Sequence, residues 1–216
     1  MAKQKKRKKI RKKRGIAWKK LLSPKHLKLV LAIAALVFIV GIISNAYYLQ
    51  TRIAGFDQAM KADNPNQTTE EFIQRLSPLA QEVTARNDLY ASVLIAQAVL
   101  ESDSGHSTLS QSPNYNYFGI KGDYQGQSVT MTTSEDDGTG NLYQIDAQFR
   151  SYGDPINALE DYAALLQADR YSGVRRSNTT SYQDATAALT GTYATDTSYG
   201  TKLNNLIEQY NLTQYD

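Results

Sequence analysis

The sequence predicts a mainly helical α+β domain with one inserted β-hairpin, preceded by a single N-terminal transmembrane helix. Three observations point there. A basic leader runs into an apolar stretch, helical periodicity fills most of residues 68–216, and period-two alternation replaces it within residues 127–152. A chain of 216 residues accommodates one domain plus an extension, and 41% apolar residues suffice for a core.

Charge divides the chain. Residues 1–28 hold 14 Lys/Arg and no Asp/Glu, whereas residues 29–216 hold 10 Lys/Arg against 21 Asp/Glu. An acidic body of this kind excludes nucleic acid as a partner, because phosphate binding needs a basic face. The absence of cysteine removes disulfides, thiolate metal sites and cysteine nucleophiles. Only His26 and His106 are present, and His26 lies in the leader, so a Ser-His-Asp triad would depend on His106 alone. Zinc-hydrolase motifs are absent, and no metal or organic cofactor is expected.

Residues 1–26 read as a basic cytoplasmic tail. Leu29 to Ile43 has no polar side chain but spans only about 22 Å, short of the hydrocarbon core. Extended from Leu27 to Leu49, the segment reaches about 34 Å, with Lys28 able to snorkel and Tyr47 and Tyr48 suited to the interface. The lipid bilayer is thus an expected partner through Leu27–Leu49. The positive leader sets the N-terminus inside and the acidic body outside. Ser44-Asn45-Ala46 also has the small residues of a signal-peptide cleavage site, so secretion after cleavage near Ala46 is the alternative. The long basic region before the apolar run favours the uncleaved anchor. Residues 50–67 are polar and read as a stalk that continues the membrane helix for a turn or two.

Residues 68–216 form the outer domain. Thr68 with Glu71 is a capping box that starts a helix, with re-initiation expected at Ser77-Pro78. Asp88 is the expected N-cap of LYASVLIAQAVLES, which is apolar nearly all round and should be the buried central helix, stopped near Gly105. Val129, Met131 and Thr133 alternate, as do Tyr143, Ile145, Ala147 and Phe149, which predicts a hairpin around the turn-rich SEDDGTGN link. Asp154-Pro155, then Ser181 with Asp184, and finally Asp196 are expected to cap three further helices.

Glu101 is the first chemical signal, a carboxyl in the last turn of an otherwise apolar helix. Partial burial and the negative end of the helix dipole both favour its protonated form, which general-acid catalysis requires. An ordinary glutamate at a frayed helix end is the competing reading. The following loop, Pro113 to Gly122, is dense in aromatics, amides and glycines. Aromatic faces suit sugar rings, while amides and backbone groups suit hydroxyl and acetamido groups. A tyrosine-rich packing loop would have the same composition.

AQAVLESDSGHS followed by NYNYFGIKGDYQG resembles family 73 of the glycoside hydrolases, the bacterial peptidoglycan N-acetylglucosaminidases. The similarity continues through VTMTTSE, AQFRSY and GTYATDTSYGTKL, covering roughly Glu71 to the C-terminus. It implies a lysozyme-like fold and cleavage of the β-1,4 bond after N-acetylglucosamine in peptidoglycan glycan strands. By the same resemblance Glu101 matches the catalytic acid, Glu135 the second carboxylate, and Tyr193 a tyrosine near the cleavage point. The substrate loop then comprises Asn116, Tyr117, Phe118, Gly119, Lys121 and Tyr124. Asp103 and Ser104 stand where the family commonly has Gly-Trp, and Tyr117 where it commonly has Leu.

From the residues alone, Glu135 begins an acidic tip, and Asp136 or Asp137 could take its place. Inversion and substrate-assisted retention both fit the sequence, the first needing carboxylates ~6.5–9.5 Å apart. The rival functions are a muramidase or lytic transglycosylase of lysozyme-like fold, and a non-catalytic glycan-binding module.

Overall fold

An apolar run without a breaker becomes helix, and α1 spans Pro24–Lys61 in the computed structural model, which describes residues 24–61, 64, 66–136 and 142–216. The tail before residue 24 and the hairpin tip at 137–141 lie outside the described residues. Two compact units divide the chain, Met1–Thr51 and Arg52–Asp216.

Within the first unit, Lys28–Tyr47 is long and apolar enough to cross a bilayer, and a signal sequence near an N-terminus has the same properties. Its large side chains, among them Leu31, Val37 and Phe38, are exposed, and no polar stripe marks a side to face water. The polar segment after Leu49, which from Arg52 belongs to the second unit, stays helical through Lys61, about three turns rather than one or two.

In the second unit, α2 (Thr69–Asn87) begins at the expected capping box: the Thr68 hydroxyl accepts from Glu71 N and the Glu71 carboxylate from Thr68 N. No re-initiation occurs at Ser77-Pro78; Pro78 sits inside one continuous helix. Proline removes the donor that Gln74 O would otherwise receive, and the buried Ser77 hydroxyl donates weakly to that carbonyl at 3.4 Å.

α3 (Ala91–Ser102) is the buried central helix, with every residue from Ala91 to Val99 inside the core. Asp88 is not its N-cap. It closes α2 in the left-handed conformation, and its carboxylate accepts from the backbone and hydroxyl of Ser177. The α3 N-terminus instead receives a carboxylate from the far end of the chain: Asp216 accepts from Ser92 N at 2.9 Å and Ser92 Oγ at 2.8 Å. A negative group at that end also complements the helix dipole.

The helix stops at Ser102, and Asp103, Ser104 and Gly105 follow with φ of 52°, 56° and 80°. Gly105 has a steric reason to be glycine, since a Cβ there would lie 2.8 Å from the Phe72 ring. His106 packs into this turn with its ring nitrogens on the carbonyls of Asp103 and Gln67, so it braces the backbone rather than serving a triad.

β1 (Ser128–Asp136) and β2 (Leu142–Arg150) form the predicted antiparallel hairpin. Its register pairs Val129 with Phe149, Met131 with Ala147, Thr133 with Ile145 and Glu135 with Tyr143, so both alternating sets share a face. Phe149 is buried at the base, whereas Ile145 and Tyr143 are exposed further out.

α4 (Pro155–Leu165) starts at Asp154, whose carboxylate accepts from Ile156 N. α5 (Tyr182–Leu189) has Asp184 accepting from the Thr180 and Ser181 amides. α6 (Tyr199–Gln209) begins later than expected: Ser198 is the N-cap residue, and Asp196 holds the preceding turn through Ser198 N and Lys202. Short 3₁₀ turns at Thr108–Ser110, Asp169–Val174, Arg176–Asn178 and Leu212–Tyr215, which the sequence reading did not separate from loop, link these elements. A mainly helical body with one two-stranded sheet is consistent with the lysozyme-like fold.

Candidate active site

The site grows from the end of α3. Glu101 lies in its last turn and is half-buried, and desolvation raises its carboxyl above the ordinary value of 4.5. A hydrogen bond from Tyr199 Oη to Oε1, 2.6 Å long, opposes part of that rise by favouring the carboxylate. The balance is a carboxyl that keeps its proton to higher pH than a solvated glutamate would.

Tyr199 is itself positioned from behind. Its hydroxyl accepts from Gln97 Nε2 at 2.9 Å, and Gln97 Oε1 accepts from Tyr162 Oη. Gln97 lies one turn before Glu101 on α3 and is fully buried, so a single helix carries the acid and the residue that steadies its partner. Gly200 allows α6 to bring Tyr199 this close, because a Cβ there would meet Thr186 O at 2.9 Å. Burial and the nearby carboxyl push the Tyr199 and Tyr162 phenols upward and keep them protonated, so Tyr199 remains a donor.

In front of Glu101 opens a cleft of about 530 Å³. Of the residues singled out in the sequence, Phe118, Gly119, Lys121 and Tyr193 line it. Gly119 lies against the acid, since a Cβ there would sit 3.9 Å from Glu101 Oε2. Tyr193 stacks near Tyr199, with ring centroids 6.1 Å apart, and donates its hydroxyl to Phe118 O at 2.7 Å. That bond ties the loop to the segment before α6 and leaves the phenol oxygen as an acceptor. Phe118 is almost fully buried and stacks on Tyr162 at 4.0 Å, so it forms floor rather than rim.

Three predicted substrate contacts lie elsewhere. Asn116 is 1% exposed and spends its amide on Ile120 and Arg150: Nδ2 donates to both carbonyls, and Oδ1 accepts from Ile120 N. It shapes the loop and fastens it to β2. Tyr117 faces the core, edge-on to Phe72 and Phe118. Tyr124 packs against Tyr152 and does not line the cleft. These polar and aromatic side chains are used for packing, an outcome that composition could not separate from sugar binding.

Glu135 lies near the outer end of β1, six residues along the ladder from the level of Phe149. At strand rise that is roughly 20 Å. Its side chain, like those of Asp136 and Asp137, lies outside the described residues. Among the described residues, Glu101 is the one carboxylate lining the cleft. The sequence reading missed Tyr199, Arg150, Arg170 and Tyr171. Tyr199 and Arg150 were visible only as parts of SYGTKL and AQFRSY, and nothing local marks Arg170 and Tyr171, which reach the cleft through tertiary packing.

A lysozyme-like body with a desolvated glutamic acid at a helix end, facing a tyrosine-walled cleft, defines a glycoside hydrolase. Residues 77–212, more than half of the chain, match the glucosaminidase family described as mannosyl-glycoprotein endo-beta-N-acetylglucosaminidase. The catalytic domain of the autolysin Auto from Listeria monocytogenes is 47% identical with a TM-score of 0.65, over 77% of this chain and 96% of that one. An autolysin of Enterococcus faecalis is 50% identical over 166 residues, 74% of this chain and 22% of that protein. The exo-glucosaminidase LytG of Bacillus subtilis is 34% identical over 202 residues, 90% of this chain and 70% of that protein. The chain belongs to this glucosaminidase family of peptidoglycan hydrolases, glycoside hydrolase family 73. It spans about a fifth to a third of the length of several curated relatives that it matches.

Proposed function

We infer that the protein cleaves the β-1,4 bond after N-acetylglucosamine in peptidoglycan, with Glu101 as the general acid. The carrying observation is the state of that carboxyl, desolvated at a cleft wall and held by a buried tyrosine–glutamine–tyrosine chain. Glu101 protonates the glycosidic oxygen as the bond breaks through an oxocarbenium-like transition state. Phe118, Gly119 and Tyr193 form the wall against which the sugar lies, and the Tyr193 oxygen is placed to accept from an acetamido N–H or a water. Glu135 is the residue proposed to activate water. If it does not, the substrate's own acetamido oxygen is the nucleophile.

The apolar, exposed Lys28–Tyr47 segment and the basic leader support a single-pass anchor across Leu27–Leu49, with the N-terminus in the cytoplasm and the catalytic domain outside. The anchor would confine hydrolysis to glycan near the membrane. Detection of a mature chain beginning near Ala46 in the culture medium, with none in the membrane fraction, would replace it with secretion.

Mass spectrometry of glycan digested by the full-length chain tests the activity. Reducing N-acetylglucosamine ends are expected. Reducing muramic ends would reassign the domain as a muramidase, anhydromuramic ends as a lytic transglycosylase, and no new ends as a non-catalytic glycan-binding module.

A further inference from the structure

The outer domain is strongly acidic, with 8 Lys/Arg against 19 Asp/Glu in residues 68–216. Three of these eight cations meet in one place. Lys121, Arg150 and Arg170 all line the cleft; among the described residues Glu101 is the one acid in that lining, and Asp161 pairs with Arg150 from outside it. A domain of this charge repels anionic polymers at long range, whereas cations gathered in one cleft make the potential there less negative and focus it. A neutral sugar chain requires no such arrangement.

The three differ in how they are held. Arg150 is ion-paired with Asp161, which also accepts from Tyr152 Oη, so its charge is built into the wall. Lys121 is fixed at the backbone by its bridge to Phe149. Arg170, exposed like Lys121, has its guanidinium 4.6 Å over the ring of Tyr171, another cleft residue. Stacking on an aromatic face orients a guanidinium while leaving its edge N–H groups available to a carboxylate.

We propose that Arg170, with Lys121 and Arg150 reinforcing the field, forms a subsite for a carboxylate carried by the muramic acid unit, so that the cleft selects anionic over neutral glycans. The carboxylate is that of the lactyl ether or of the stem peptide attached to it. This rests on the glycan-hydrolase reading above and adds which feature of the glycan is recognised.

Binding, rather than turnover, separates the two claims. Glu101→Gln in the full-length chain retains the neutral form of the acid and permits calorimetric titration without digestion. Three probes of equal length serve as ligands: N-acetylglucosamine oligomers, peptide-bearing glycan, and amidase-stripped glycan with free lactyl carboxylates. At low salt the carboxylated probes are expected to bind about tenfold more tightly than the neutral one, the scale of one charge-assisted hydrogen bond. Adding Arg170→Gln should erase that ratio, Arg170→Lys should keep most of it, and 0.5 M NaCl should compress it. Preference for the peptide-bearing probe alone assigns the stem-peptide carboxylate, and preference for the stripped probe alone assigns the lactyl carboxylate; preference for both shows that the subsite accepts either. Equal affinity for all three probes, or a ratio indifferent to Arg170→Gln, overturns the subsite. Selectivity without new reducing ends from the wild-type chain would instead overturn the hydrolase reading while leaving the subsite standing.

Discussion

Glu101 and Glu135, the two carboxylates that the sequence singles out, lie in unlike surroundings. Glu101 belongs to the helical body, at the end of a helix buried on every side, with its hydrogen-bond partner braced by two further residues. Glu135 belongs to a two-stranded ribbon whose outer half carries exposed Tyr143 and Ile145. A ribbon of two strands has little stability of its own. The body therefore holds the proposed proton donor in place ahead of any substrate, whereas a contribution from the hairpin would depend on how its outer half meets that substrate. Catalysis should be far more sensitive to changes in the first region than in the second.

The largest expected effect comes from Glu101→Gln. Loss of the acid should lower wall-degrading activity about 10²–10⁴-fold or more, measured on purified glycan. Wild-type-like turnover would remove Glu101 from the mechanism. The same variant tests the desolvation directly. Because the folded state raises this pKa, the native protein binds the proton more tightly than the unfolded chain does. Stability from this group is fully present below the ordinary value of 4.5 and is lost as pH rises through the raised value. Glu101→Gln should accordingly melt at a higher temperature than wild type at pH 8 and at about the same temperature at pH 4. A lower Tm at pH 8 would show that the acid is not desolvated.

Asn116→Ala attacks the seam between the regions. It removes three hydrogen bonds from a buried amide and leaves carbonyls of Ile120 and Arg150 without that donor, at a cost of about 1–3 kcal/mol. Chemical denaturation should register this loss, with activity falling because the Gly119 side of the cleft loosens. A fall in sugar affinity with unchanged stability would return Asn116 to the substrate-binding role expected from sequence.

Smaller still is the effect expected of Glu135→Gln, on the order of tenfold in kcat and below the range for losing the principal acid. Unaltered kinetics would transfer the second role to Asp136, Asp137 or the substrate's acetamido group.

How much of this could be read from the residues depends on whether the determinants are local. Thr68 with Glu71 and Asp154 with Pro155 announce helix starts because a cap is completed within three or four residues, and both lie where expected. The hairpin was equally legible, since alternation of period two sets its register. Asp88 misled for the opposite reason. Its residue type suits a cap, but the carboxylate that serves α3 comes from Asp216, a partner no local pattern reveals. The site shows the same division. Glu101 stands out as a polar residue in an apolar helix end, whereas Tyr199, Arg150 and Arg170 become neighbours of the cleft only after the chain has folded. Asn116 and Tyr117 were misplaced because amides and aromatics serve a packed loop as readily as a sugar.

The central claim concerns the proton on Glu101, and the pH dependence of kcat/KM in wild type and Tyr199→Phe tests it most directly, because that ratio reports ionisations of the free enzyme. In wild type the basic limb should lie above the ordinary glutamate range. Removing the Tyr199 hydroxyl removes an interaction that favours the carboxylate, so the limb should move to still higher pH. A wild-type limb at the ordinary value of 4.5, unmoved by Tyr199→Phe, would contradict the account.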